Sequence, residues 1–93
     1  MEFEWDPEKG AANLKKHGIG FDDAVLVFAD PLHLVEDSTR PEHGERRNKA
    51  IGFVAGRIVA VIFTERFGKW RIISARKARR DERARYDCGA AAG

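Results

Sequence analysis

Three arginines, Arg46, Arg66 and Arg76, stand where apolar, strand-like runs begin or end, so a meander of those strands would gather them on one surface. A guanidinium keeps its proton at any physiological pH and binds two nonbridging phosphate oxygens at once. Three converging guanidinium groups therefore suit the charge that builds when a ribose 2′-hydroxyl attacks the adjacent phosphorus. Such a cleavage also uses a base for the 2′-hydroxyl and an acid for the departing 5′-oxygen. Glu45, Glu65, His17 and Tyr86 are the candidates. A carboxylate among arginines is held ionised and is a weak base, so electrostatic stabilisation should outweigh proton transfer.

The stretch from Trp70 to Tyr86 concentrates the positive charge, with Arg71, Arg76, Lys77, Arg79, Arg80, Arg83 and Arg85 against Asp81 and Glu82. Arg79 with Glu82, and Asp81 with Arg85, are spaced to form solvated pairs along a helix face, each contributing roughly 0.2–0.5 kcal/mol. Arg76 with Arg80, and Arg79 with Arg83, are like-charge pairs that cost similar amounts, a spacing better suited to a surface that meets an anion. Lys16, Lys77, Arg79, Arg80 and Arg83 are accordingly candidate RNA-binding cations, and Trp70 and Tyr86 are aromatics that can stack on bases or belong to the core. A binding module without catalysis, in which the basic helix grips RNA or a protein, is the competing reading.

Other chemistries find little support. His17, His33 and His43 have no mutual i, i+4 spacing and Cys88 is the only cysteine, so neither a metal site nor a disulfide is expected, nor any cofactor. Gly52, Gly56 and Gly68 are spaced as hairpin glycines, not as a phosphate loop, and neither Ser38 nor Ser74 sits in a nucleophile motif. The longest unbroken apolar run, Ile58 to Phe63, is far short of the ~20 residues that span a bilayer. A cytoplasmic protein without membrane contact is the expectation. Residues 1–37 carry a formal charge of −6 and residues 38–93 one of +8, net +2, which suggests a dipolar surface.

At 93 residues the chain has room for one domain, expected over residues 1–88, with a flexible Gly–Ala tail at 89–93. Phe3 and Trp5 alternate with Glu2 and Glu4 as a short strand. Asp6 and Pro7 open a helix that Gly18 closes at His17, with Ala11 and Leu14 as its apolar stripe. Phe21, Ala24, Val25 and Phe28 follow helical spacing, so a second helix is predicted over Phe21–Ala29. Leu32–Glu36 reads as a strand, and the polar stretch after it as a loop of weak order. Arg46–Val54 and Arg57–Thr64 form a hairpin whose second strand is apolar on both faces, and Trp70 to Ile73 form the last strand before Ala75 and Arg76 hand over to the final helix. The resulting order, β-α-α-β-β-β-β-α, predicts an α+β fold with an antiparallel sheet and helices packed on one face.

Two segments, FEWDPEKGAANLKKHGIGFDDAVLVFADP (Phe3–Pro31) and RIISARKARRDERARY (Arg71–Tyr86), together with Glu45 and Arg46, resemble the BrnT family of type II toxin–antitoxin toxins. The likeness extends from Phe3 to Tyr86 and departs at Gly20, where the family often has a Ser or Asp to cap the second helix. The resemblance implies a RelE-like ribonuclease fold, RNA cleavage that arrests translation and growth, and neutralisation by a cognate BrnA antitoxin. It also implies a toxin–antitoxin complex that represses its own operon, with operator DNA held by the antitoxin.

Overall fold

The computed structural model describes residues 2–92, with side chains through residue 89. Five strands and three helices follow one another as β1 (Glu2–Glu4), α1 (Pro7–His17), α2 (Phe21–Ala24), β2 (Leu34–Asp37), β3 (Asn48–Val54), β4 (Arg57–Arg66), β5 (Lys69–Lys77) and α3 (Arg80–Ala92). A 3-10 turn at Val25–Ala29 tightens the end of α2, and another at Pro41–His43 lies in the loop before β3. The expected tail begins within α3, which continues to Ala92, and ends at Gly93, outside the described residues. Among the described residues no helix is long and apolar enough to cross a membrane.

The sheet order is β1-β5-β4-β3-β2. Strands β2 to β5 form an antiparallel meander, but β1 runs parallel to β5, pairing Phe3 with Trp70. The sheet is therefore mixed, not antiparallel throughout. Alternation in Phe3 and Trp5 identifies a strand without fixing its direction, which here follows from the route the chain takes through α1 and α2.

Nor do the helices share one face. Ile19, Phe21, Ala24 and Val27 pack on Ala50, Val59, Val61, Phe63, Ile72 and Ala75. Tyr86 of α3 packs on Ile51 and Ala60, with Leu34 and Ile58 beside them. Successive strand residues point to opposite faces, so α1 and α2 cover one side and α3 the other. The two-sided apolarity of β4 demands this arrangement.

Local chemistry places α1 as its caps require. The Asp6 carboxylate accepts the Glu8 backbone N–H at 2.9 Å, and Gly18 takes the left-handed conformation at φ 71°. The packed face of α1 is not the expected Ala11 and Leu14 stripe, since Leu14 is 54% exposed; Gly10 and Asn13 are buried instead. Gly10 sits against the Trp5 indole, where a small residue permits close approach. The Asn13 amide donates to the carbonyls of Ile19 and Ala75 at 2.9 and 2.8 Å and accepts the Ala75 N–H at 3.1 Å. Past the end of short β1, Asn13 thus serves as the pairing partner that the β5 edge lacks.

Candidate nucleic-acid interface

A groove of about 200 Å³ opens on the α3 side of the sheet, walled by Arg40, His43, Arg47, Lys49, Arg76 and Arg79 over Ile62 and Ser74. Strand β5 supplies Arg76 and strand β3 supplies Lys49, both on the face that α3 covers. Arg76 lies within β5, which continues to Lys77, and not at the handover to the helix as the sequence suggested. Arg79 immediately precedes α3.

Glu82 in the first turn of α3 organises these cations. Its side chain is 1% exposed and accepts a two-pronged contact from Arg76 at 2.6 and 2.9 Å. Lys49 Nζ lies 2.7 Å away, and the Arg79 backbone N–H donates to the same carboxylate at 2.8 Å. The last contact is the reach-back half of a capping box, from the third helical residue to the backbone N–H that precedes α3, so the residue that ties down the start of α3 also fixes two cations of the groove. The Arg76 hydrogen bonds, followed by those from Arg79 N–H and Lys49, hold the Glu82 carboxyl far below the usual carboxylate range despite its burial. Arg76 is in turn raised by Glu82 and stays charged.

The loop that carries Arg40 and His43 is closed, where the sequence suggested weak order. Ser38 N–H donates to the Arg47 carbonyl at 2.9 Å, and the Thr39 hydroxyl both accepts from Arg47 N–H and donates to Arg47 O. This clamp brings the 3-10 turn Pro41–His43 over β3 and turns His43 to the groove, where its Nδ1 is buried with no hydrogen-bond partner. Arg40 and Arg79 make no ion pair among the described residues.

A second groove, of about 400 Å³, lies at the β4–β5 turn and is lined by Glu45, Arg46, Asn48, Thr64, Glu65 and Phe67. Glu45 accepts from Arg66 at 2.9 Å and from Arg47 at 3.3 Å, and so stands between the two grooves. Those contacts, Arg66 foremost, lower its pKa and leave it a poor base. Arg46, Arg66, Glu45 and Glu65 are therefore neighbours, while Arg76 belongs to the adjoining groove; among the described residues no hydrogen bond or ion pair links Arg76 to Arg46 or Arg66.

The remaining candidates lie elsewhere. The Tyr86 hydroxyl donates to Asp30 Oδ2 at 2.6 Å, and this bond and burial push the phenol up to about 12. Asp30 Oδ2 also accepts the Phe53 N–H at 2.8 Å, so Tyr86 belongs to a link between α3 and the β3 edge. His17 is half-buried at the end of α1 and Lys16 is exposed there, on the helix layer opposite α3. Lys77 and Arg83 line a third groove with Phe53, Gly56, Arg57 and Ile58, and Arg80 is exposed at the start of α3.

Sequence reasoning passed over Arg40, His43, Arg47 and Lys49. Lys49 carried a signal: it shares a strand face with Ile51, and a lone cation on a face otherwise apolar needs a buried partner or a ligand. The other three depend on the loop clamp, which joins residues too far apart to read locally.

A family model described as "Ribonuclease toxin, BrnT, of type II toxin-antitoxin system" matches residues 5–82. That span includes Glu82 and the whole cationic groove, and excludes Tyr86. No curated protein matches the chain.

Proposed function

The chain belongs to the BrnT family of type II toxin–antitoxin ribonuclease toxins, and from that premise we propose that it cleaves RNA in the groove between β3, β5 and the start of α3. The observation that carries this reading is the cation set itself. Arg40, Arg47, Lys49, Arg76 and Arg79 line the groove with no acid among them, and Glu82 locks two of the five from beneath. Cations oriented before substrate arrives cost no reorganisation as charge develops on the phosphorane.

In this reading Arg76 and Lys49 hold the nonbridging oxygens of the scissile phosphate, with Arg40, Arg47 and Arg79 around them. His43 is the residue placed to move protons. It takes the 2′-hydroxyl proton while the 2′-oxygen bonds to phosphorus and the bond to the 5′-oxygen breaks with its electron pair. The proton is then delivered to that oxygen, leaving a 2′,3′-cyclic phosphate and a 5′-hydroxyl. Arg46 in the adjoining groove and Arg66 beside it hold a flanking phosphate, and Glu45 keeps Arg47 and Arg66 in register. The five guanidinium and ammonium groups supply the neutralisation for which other nucleases use a metal ion, so the reaction is metal-independent here.

Translation arrest follows from loss of RNA, within the cytoplasm, and a RelE-like arrangement of sheet and loop accords with a groove on the sheet face. The family also supports neutralisation by a BrnA-type antitoxin, with operator DNA bound only through that complex. Purified protein incubated with RNA in excess EDTA should generate 5′-hydroxyl and 2′,3′-cyclic phosphate ends. Arg76→Ala and His43→Ala should each slow this by about a hundredfold or more, assayed at a temperature where melting shows both folded, because Arg76→Ala also removes the main partner of buried Glu82. Undiminished cleavage by both variants would remove the site, and RNA binding without new ends would favour a non-catalytic module.

A further inference from the structure

The third groove differs from the other two in having an apolar floor. Phe53 is 52% exposed on β3, and beside it Ile58 and the Gly56 turn form a cavity of about 340 Å³ whose rim is Arg57, Lys77 and Arg83. None of the three rim cations makes an ion pair among the described residues; Arg57 donates to the Gly18 carbonyl at 3.1 Å, which steadies it without neutralising it. An exposed aromatic on an aliphatic floor within a ring of cations complements one ligand shape: a bulky apolar side chain flanked by carboxylates.

We propose that this groove anchors an acidic amphipathic segment of the antitoxin, one apolar side chain seated on Phe53 and Ile58 and its neighbouring carboxylates on Arg57, Lys77 and Arg83. The proposal rests on the reading of the chain as a toxin with a protein antitoxin. A protein segment fits better than RNA because a base can stack on Phe53 alone and gains nothing from Ile58, whereas a buried apolar side chain gains from both. A cavity of this size holds one anchor, so the full interface must run on from it across neighbouring surface. Arg83 lies one helical turn beyond Arg79, so a segment seated here approaches the RNA groove along α3. Antitoxin binding would then hinder RNA entry without occupying the cations that act on the phosphate.

Titration of the purified chain with its cognate antitoxin tests this, with Phe53→Asp and Arg57→Glu assayed separately and thermal melting used to confirm folding. Each should weaken antitoxin binding by about thirtyfold or more, while RNA cleavage by the free protein stays within twofold of the unmodified chain. Arg76→Ala should show the opposite pattern, losing cleavage and keeping the antitoxin. Antitoxin affinity unchanged in both groove variants overturns the proposal. So does a parallel loss of RNA binding and cleavage in both, which would assign the groove to RNA. Absence of cleavage by the unmodified chain would instead count against the ribonuclease reading and leave the antitoxin measurement interpretable.

Discussion

Glu82 is where stability and the proposed chemistry meet. A carboxylate 1% exposed and bound by Arg76, Lys49 and a backbone N–H cannot lose its charge without leaving Arg76 uncompensated and Lys49 with only Glu36, 3.7 Å away. Glu82→Gln should lower stability at neutral pH by roughly 3 kcal/mol in denaturant unfolding. Because folding depresses this carboxyl below its ordinary 4.5, the stabilisation is complete above that value and is lost as the solution is acidified further. The Gln variant should therefore show a flatter acid limb, and its cleavage should fall because Arg76 and Lys49 lose their orientation. Tyr86 predicts the converse. Tyr86→Phe removes the bond to Asp30 and should cost roughly 1.5–3 kcal/mol while RNA cleavage persists. Its phenol is raised from 10.0 to about 12, so its contribution is complete below pH 10 and fades as pH rises through 12, a decline the Phe variant should lack. Sequence separates these two residues poorly: Tyr86 looked like a possible acid because its partner Asp30 is 56 positions away. Glu82 looked like a solvated surface acid because its spacing from Arg79 fits a helix-face pair.

At the scale of elements, the parts written in local chemistry were legible and those written in contact were not. Asp6, Pro7 and Gly18 delimit α1 at Pro7–His17 from sequence alone. Its docking face escaped because it uses Gly10 and Asn13, a small residue and an amide, where periodicity looks for apolar side chains. Asn13→Ala would leave the Ala75 N–H and the carbonyls of Ile19 and Ala75 without partners. A loss of roughly 3 kcal/mol in chemical denaturation is expected, with earlier hydrogen exchange at the Ala75 amide. Ala75 directly precedes Arg76, so loosening this edge should also reduce cleavage. The 38–47 loop shows the same division: Pro41 and Gly44 announce a turn, but the Thr39–Arg47 clamp that carries His43 and Arg40 inward is a tertiary bond between loop ends.

Across the whole molecule the two-sided sheet separates labour. The face under α1 and α2 holds the larger apolar cluster, and the face under α3 holds the cationic groove beside a smaller one. If RNA meets that groove, its affinity should fall with salt, with log K against log[salt] sloping at about −2 to −3.5 for up to five single-strand phosphates engaged. A slope near zero would disconnect the cations from RNA. The charge asymmetry of the sequence is real in space only in part, because Glu2, Glu4 and Glu36 of the acidic half meet Lys69, Arg71, Lys49 and Arg85 of the basic half. One feature of the sheet also sets a schedule. The first strand lies beside the last, and β5 contributes both the partner for β1 and Arg76. During synthesis α2 and the turn after it can settle on β3 and β4, but β1 has no strand to pair with until β5 is made, and the groove closes later still because Arg79 and Glu82 follow β5. The cationic groove is thus among the last features of the nascent chain to take shape, after the sheet beneath it is complete.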